Sequence, residues 1–170
     1  MTLSIRPAGP ADLPDVGHLH HRSRAAAYAD LIPADDLNAV PAGAMAQWWG
    51  ERWTYERDTH RLNVAADGDG IVGFSYAGPS ETPEAVELYA IHVDPARVGS
   101  GVGLALMAAA HRDLAALAAP GMRAVLWVLT GNTRARRFYD RDGWRADGET
   151  RRSAIGTTLT PQLRYTRTVD

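Results

Sequence analysis

The sequence predicts a mixed α/β fold, with a central mixed sheet of about seven strands and about four helices on its two faces. Three observations carry this prediction. Val86–Val93 and Ala124–Leu129 are nearly continuous apolar runs, as expected of strands covered on both faces. The first run passes through Asp94-Pro95 and three alternating glycines into an alanine-leucine segment of helical character. The whole chain then reads β-α-α-β-β-β-α-β-α-β-β.

The elements follow in order. Residues 3–6 alternate like a short first strand, stopped by Pro7. Pro10-Ala11-Asp12 opens a helix to about Ala29, with Leu13, Val16 and Leu19 or His20 on its inner face. Pro33 and Pro41 bracket a loop or short helix, and a second helix runs from Ala42 to about Glu56. Its Met45, Trp48, Trp49 and Trp53 recur at three- and four-residue spacing, which predicts a core face, with the lining of a binding site as the alternative. Residues 61–66 and 71–77 flank Asp67-Gly68-Asp69-Gly70, a hairpin turn. Val86–Val93 is the fourth strand. A helix from Gly101 to about Ala119 is stopped by Pro120-Gly121. Ala124–Leu129 is the fifth strand, Thr133–Arg141 the next helix, and two strands follow Trp144, the last at about Gln162–Thr168. No repeat, low-complexity segment or linker divides the 170 residues, so residues 1–170 are expected to form one domain.

Composition narrows the function. With 45% hydrophobic and 22% charged residues the chain is ordinary globular material. A formal net charge of −2 without blocks of like charge argues against nucleic acid as a partner. Apolar stretches are interrupted well short of a spanning helix and the N-terminus lacks a signal pattern, so a soluble cytoplasmic protein with no membrane partner is expected. No cysteine is present, which removes disulfides, thiolate metal sites and a cysteine nucleophile. All 18 basic residues are arginine, so no Schiff-base lysine is available. His18, His20 and His21 do not fall on one helical face; they are expected to be surface histidines and no metal is called for.

Gly99, Gly101 and Gly103 place bare backbone N–H groups at the start of a helix, where unpaired donors and the helix dipole favour a phosphate. A pyrophosphate-bearing ligand is expected. A P-loop would need a lysine after its last glycine. A dinucleotide fingerprint would need Gly or Ala where Leu104 or Leu106 stands.

The spacing that fits is Val98-Gly99-Ser100-Gly101-Val102-Gly103, which resembles the Q/R-x-x-G-x-G/A acyl-CoA motif of the GCN5-related N-acetyltransferase (GNAT) superfamily. Val98 departs from the usual Gln or Arg, a loss that neighbouring Arg97 is a candidate to make good. A second stretch resembles the family's N-x-x-A-x-x-F-Y-x-x-x-G-F/W signature, with Asn132, Ala135, Phe138, Tyr139, Gly143 and Trp144 in place. I-R-P-A at Ile5, A-A-Y-A-D-L-I-P at 26–33 and I-V-G-F at 71–74 are also similar to the superfamily. The resemblance spans about Leu3 to Thr168.

That resemblance implies the GNAT fold, with a mostly antiparallel sheet whose fourth and fifth strands splay apart around the pantetheine arm of acetyl-CoA. It implies direct transfer of the acetyl group to a primary amine in a ternary complex. The N–H groups of Gly99, Ser100, Gly101, Val102, Gly103 and Leu104 would hold the pyrophosphate. The backbone of Ile91, His92 and Val93 would pair with pantetheine, the N–H near Ile91 serving as oxyanion donor, and Asn132 would contact the cofactor arm. Tyr139 is the implied general acid and Glu87 the implied base acting through water, with Tyr89 and His92 as neighbours able to substitute or hold that water. Trp127 stands where relatives that modify protein N-termini carry a glutamate. Asp30, Asp35 and Asp36 lie in the segment that commonly walls the acceptor site, and no acceptor preference follows from them.

The expected acceptor is a small molecule: an amino acid, a polyamine or an amine antibiotic. A peptide or protein amine is the alternative, as is a non-catalytic domain that senses acyl-CoA; a dinucleotide-binding oxidoreductase stands third. A homodimer is a family-level expectation.

Overall fold

The computed structural model describes residues 2–68 and 70–169. The strands are β1 (Ser4–Pro7), β2 (Arg61–Asp67), β3 (Gly70–Pro79), β4 (Ala85–Val93), β5 (Arg123–Leu129), β6 (Arg145–Ile155) and β7 (Thr158–Thr168). The helices are α1 (Leu13–Ala27), α2 (Ala34–Leu37), α3 (Ala42–Glu56), α4 (Val102–Leu117) and α5 (Thr133–Arg141), with single 3-10 turns at Pro10–Asp12 and Pro95–Arg97. The predicted α/β order therefore holds, with α2 filling the segment between Pro33 and Pro41. Asp69 of the predicted hairpin turn lies outside the described residues.

The seven strands form one sheet in the order β1-β2-β3-β4-β5-β7-β6. Every neighbouring pair is antiparallel except β4–β5. That parallel pair lasts three residues: Ala85 faces Arg123, Val86 faces Ala124 and Glu87 faces Val125. Beyond Glu87 the two strands part, while β5 stays paired with β7 from Arg123 to Leu129. A slot thus opens in the middle of the sheet, bounded by strand edges that lack a strand partner.

Each face of the sheet has its own core. Helix α4 covers one, burying Met107, Ala110 and Leu114 against Val86, Leu88, Leu126 and Trp144. Helices α1 and α3 cover the other, where Val16, Leu19 and Trp49 meet Val64, Phe74 and Tyr76. Full burial of such side chains is worth about 1.5–3 kcal/mol each. The two helices touch at Gly17, where a Cβ would overlap the Ala46 backbone. The predicted tryptophan face divides: Trp49 is core, whereas Trp48 stays 40% exposed. Among the described residues no helix is long and apolar enough to cross a membrane.

Candidate functional site

The glycine turn sits at one end of the slot. Gly99 and Gly101 take φ of +84° and +92°, a region that L side chains rarely occupy. Nothing lies within 4 Å of where a Cβ would stand at either, so they are glycine for backbone conformation and open approach. Gly101 caps α4, and the Ala105 N–H is the one that bonds back to it at 3.1 Å. The N–H groups of Val102, Gly103 and Leu104 thus precede the helical ladder and face the positive end of a sixteen-residue helix. Asp94 holds the approach by accepting from Ala96 N–H at 2.9 Å and pairing with Arg22 at 2.7 Å. Arg97 pairs with Asp67 at 2.9 Å, so its charge is shared with a strand residue. The space beside Gly103 is bounded by Phe138, 3.7 Å from a Cβ built there, which joins the two sequence motifs.

One wall of the slot is β4, and it is irregular. The β3–β4 register slips so that Tyr76 faces Ala90 and Ala77 faces Leu88, leaving Tyr89 in a bulge. Three positions apart on a regular strand, Tyr89 and His92 would face opposite sides. The bulge brings both to the α1/α3 face, Tyr89 beside His60 and Tyr76, His92 stacked on Phe74 at 5.2 Å. Ile91 and Val93 pack instead toward Val102 and Leu106.

Glu87 is the last β4 residue paired with β5. It is 6% exposed, and the Ser80 hydroxyl donates to its Oε2 at 2.7 Å. Burial raises its pKa above the ordinary carboxylate value; the Ser80 bond and the charges of Arg151 and Arg52 oppose the rise. The Tyr89 hydroxyl is pushed up to about 12 by burial and by Glu87, and donates to the Pro79 carbonyl. On the opposite wall, Tyr139 packs its ring against Phe138, Trp144 and Tyr165. Burial, then Tyr28, raises its pKa, so the phenol stays protonated at neutral pH. Asn132 caps α5, its Oδ1 accepting from Ala135 N–H at 3.2 Å, which leaves the Nδ2 donors for another partner.

The histidine expectation needs correcting. His18 is exposed, but His20 lies in an aromatic cluster with Trp48, Trp49, Phe74 and His92. Its Nδ1 accepts from Trp49 Nε1 at 3.1 Å. Burial, then the charges of His92, Arg24 and Arg52, hold it neutral down to about pH 2. His92 shares a 3.0 Å hydrogen bond with Ser23 Oγ and is pushed down to about 4, mainly by burial. No group of histidines and acids among the described residues could hold a metal.

The three loop acids also separate. Asp30 and Asp35 are exposed, whereas Asp36 is buried and accepts from the Thr157 N–H at 2.7 Å, the Thr157 hydroxyl at 3.0 Å and the Thr158 hydroxyl at 2.5 Å. It pins the β6–β7 turn onto α2. Three arginines and a serine that the sequence reading did not single out complete the site. Arg52 lies over Trp48, Tyr76 and Tyr89 and pairs with Glu56 at 2.6 Å. The spacing Trp48, Arg52, Glu56 was a readable signal for that stack. Arg151 lies over Trp127 at 4.3 Å. Ser80 and Arg24 carry no sequence signal of their own.

Comparison with known proteins agrees with this geometry. The sequence model of the Acetyltransferase (GNAT) family matches residues 25–144, which include both motif segments. The "Probable N-acetyltransferase" of Mycobacterium tuberculosis is 24% identical over 151 residues, 87% of this chain and 83% of that protein. Mycothiol acetyltransferase of Kocuria rhizophila is 30% identical over 137 residues, which take in 76% of this chain but only 43% of the relative. The PaiA N-acetyltransferase of Thermoplasma acidophilum, solved in complex with coenzyme A, shares the fold with a TM-score of 0.77 at 14% identity. That likeness covers 96% of this chain and 98% of the other.

Proposed function

The chain belongs to the GNAT acetyltransferase family and is an acetyl-CoA-dependent acyltransferase; from that premise we propose that it acetylates the primary amine of a small molecule. The carrying observation is the parting of β4 and β5 immediately after Glu87, a slot that runs from a buried carboxylate to an open glycine turn. The PaiA relative was solved with coenzyme A, and the open backbone at Gly99 and Gly101 fits such a ligand's pyrophosphate.

In this reading the N–H groups from Gly99 to Leu104 hold the pyrophosphate, while Ile91 and Val93 offer the unpaired β4 edge to the pantetheine amides; His92 between them turns its backbone toward Phe74 on β3, as Asp94 does toward Val72. Asn132 reaches the same arm from the other wall. The amine nitrogen attacks the thioester carbonyl and a C–N bond forms. Its proton passes through water to Glu87, whose burial makes it a stronger base than a free glutamate. The Ile91 N–H donates to the developing oxyanion. As the C–S bond breaks, Tyr139 gives its proton to the sulfur and regains one from solvent. No covalent enzyme intermediate is needed, in keeping with a chain that has no cysteine. The same reading takes residues 1–170 as one catalytic domain acting in the cytoplasm.

Release of the CoA thiol from acetyl-CoA, followed across amino acids, polyamines, aminoglycosides and short peptides, tests the reading. The cysteine-free protein adds no background to a thiol-reactive dye. Amine-dependent release is expected. Tight acetyl-CoA binding with no release from any amine would replace the enzyme by an acyl-CoA sensor.

A further inference from the structure

Arg24, in the last turn of α1, is a charge without a counter-ion among the described residues. Its Nε is buried and has no hydrogen-bond partner among the described residues. Its one side-chain hydrogen bond to a described residue is long, 3.4 Å from Nη2 to the Leu37 carbonyl. No carboxylate comes within ion-pairing distance of it among the described residues. The acids that could have served are committed or turned away: Asp36 is bound to Thr157 and Thr158, and Asp30 and Asp35 are exposed. Arg52, by contrast, has Glu56 at 2.6 Å.

The position of this guanidinium is informative. Its charge is felt by His92, on the part of β4 that has left β5, and by Tyr28, which in turn neighbours Tyr139. Ser23, next to it in α1, shares a 3.0 Å hydrogen bond with His92, so this turn of α1 lies over the β4 wall of the slot. Leaving a buried cationic donor unpaired is costly, and a neutral side chain would remove the cost. A residue kept against stability is the mark of a binding group.

We propose that Arg24 anchors a carboxylate carried by the acceptor, so that the substrate is an amino-acid-type amine and neither a polyamine nor an aminoglycoside. The proposal rests on the transfer reading above. The carboxylate would complete the unsatisfied guanidinium with charge-assisted hydrogen bonds and hold the neighbouring amine toward the thioester. A polycationic acceptor would leave the guanidinium without an anion and set a second positive charge beside it.

The test pairs each amino acid with the amine left when its carboxylate is removed, using the wild type and Arg24→Gln. For the wild type, kcat/KM is expected to be at least about 10-fold higher for the amino acid of the preferred pair. Arg24→Gln should raise KM for that amino acid about 10- to 100-fold, as loss of a hydrogen-bonded charge pair does. Its acetyl-CoA affinity and its kcat/KM for the decarboxylated amine, which has no carboxylate to anchor, should stay within a few-fold. The variant should melt at the same temperature or higher, since among the described residues this charge has no carboxylate and only the long bond to Leu37. Preference for the decarboxylated amine or for spermidine, or an unchanged ratio in the variant, overturns the proposal. Calorimetry of N-acetyl amino acids with the CoA-bound protein keeps the two readings apart. If no amine is acetylated, binding to the wild type that weakens in Arg24→Gln supports the anchor while the transfer reading fails. Equal binding, or none, overturns the anchor.

Discussion

The Ser80 hydroxyl donates a 2.7 Å hydrogen bond to the buried Glu87 carboxylate, the one contact that restrains the rise in its pKa by direct bonding. Ser80 belongs to the loop between β3 and β4, and Glu87 to the last rung before the sheet opens. The loop therefore sets the proton affinity of the proposed base.

A base works only when deprotonated, so activity should rise with pH through the Glu87 pKa. Ser80→Ala removes the bond that favours the carboxylate and should shift the acid limb of the kcat/KM profile upward, by up to about one pH unit. Glu87→Gln should lower kcat about 100-fold or more while acetyl-CoA still binds. A pH profile from 5 to 9 checks both; an acid limb unmoved by Ser80→Ala would detach Glu87 from the observed pKa.

Tyr139 is the corresponding acid. Its raised pKa keeps the phenol protonated throughout the working range, so no alkaline limb below about pH 10 should belong to it. Tyr139→Phe should reduce kcat about 100-fold and leave the acetyl-CoA dissociation constant within a few-fold. Stopped-flow thiol release separates the two quantities.

At Gly101 the expected penalty is conformational, because space is open around the missing Cβ but φ is +92°. Gly101→Val should destabilise the turn by about 1–3 kcal/mol and weaken acetyl-CoA binding at least tenfold. Calorimetric titration and thermal melting report the two effects independently.

Acid should weaken the fold through its histidines. His20 and His92 are held near 2 and 4, below the ordinary 6.5, so the unfolded chain binds protons that the folded one refuses. Their contribution is complete above about pH 6.5 and declines as pH falls from there toward the folded values. Melting temperature should drop between pH 7 and pH 5, and the drop should be shallower in His92→Gln. An identical slope in the variant would place the acid sensitivity elsewhere.

Much of the fold was legible because its signals are local. Thr133–Arg141 is bounded by Asn132, whose side chain caps it, and Ala42–Glu56 begins after Pro41; both helices have the predicted limits. The glycine turn was equally plain, since positive φ at Gly99 and Gly101 is a property of single residues. What could not be read depends on two or more segments at once. The spacing within α1 leaves His20 between the inner face and the surface, and only the arrival of α3 with Trp49 decides it. The bulge at Tyr89 is a register between two strands, which the family resemblance allows for and residue spacing alone does not show. Arg24 resembles any charged residue near a helix end, and its isolation appears only when α1, α2 and β4 are assembled. Ser80 is one polar loop residue among several until the fold sets it against Glu87.

The bonds from Thr157 and Thr158 to Asp36 make the short helix near the first loop and the far hairpin a single inheritable piece. Gly156 seals the join, because a Cβ there would run into Asp36. Specificity loops in other scaffolds can be exchanged one at a time. Here a hairpin transplanted without its helix would leave a buried carboxylate with no donors, and a helix transplanted alone would leave the hairpin untethered. Recombination among relatives, natural or designed, should therefore succeed only with crossovers that carry Ala34–Leu37 and the β6–β7 turn together.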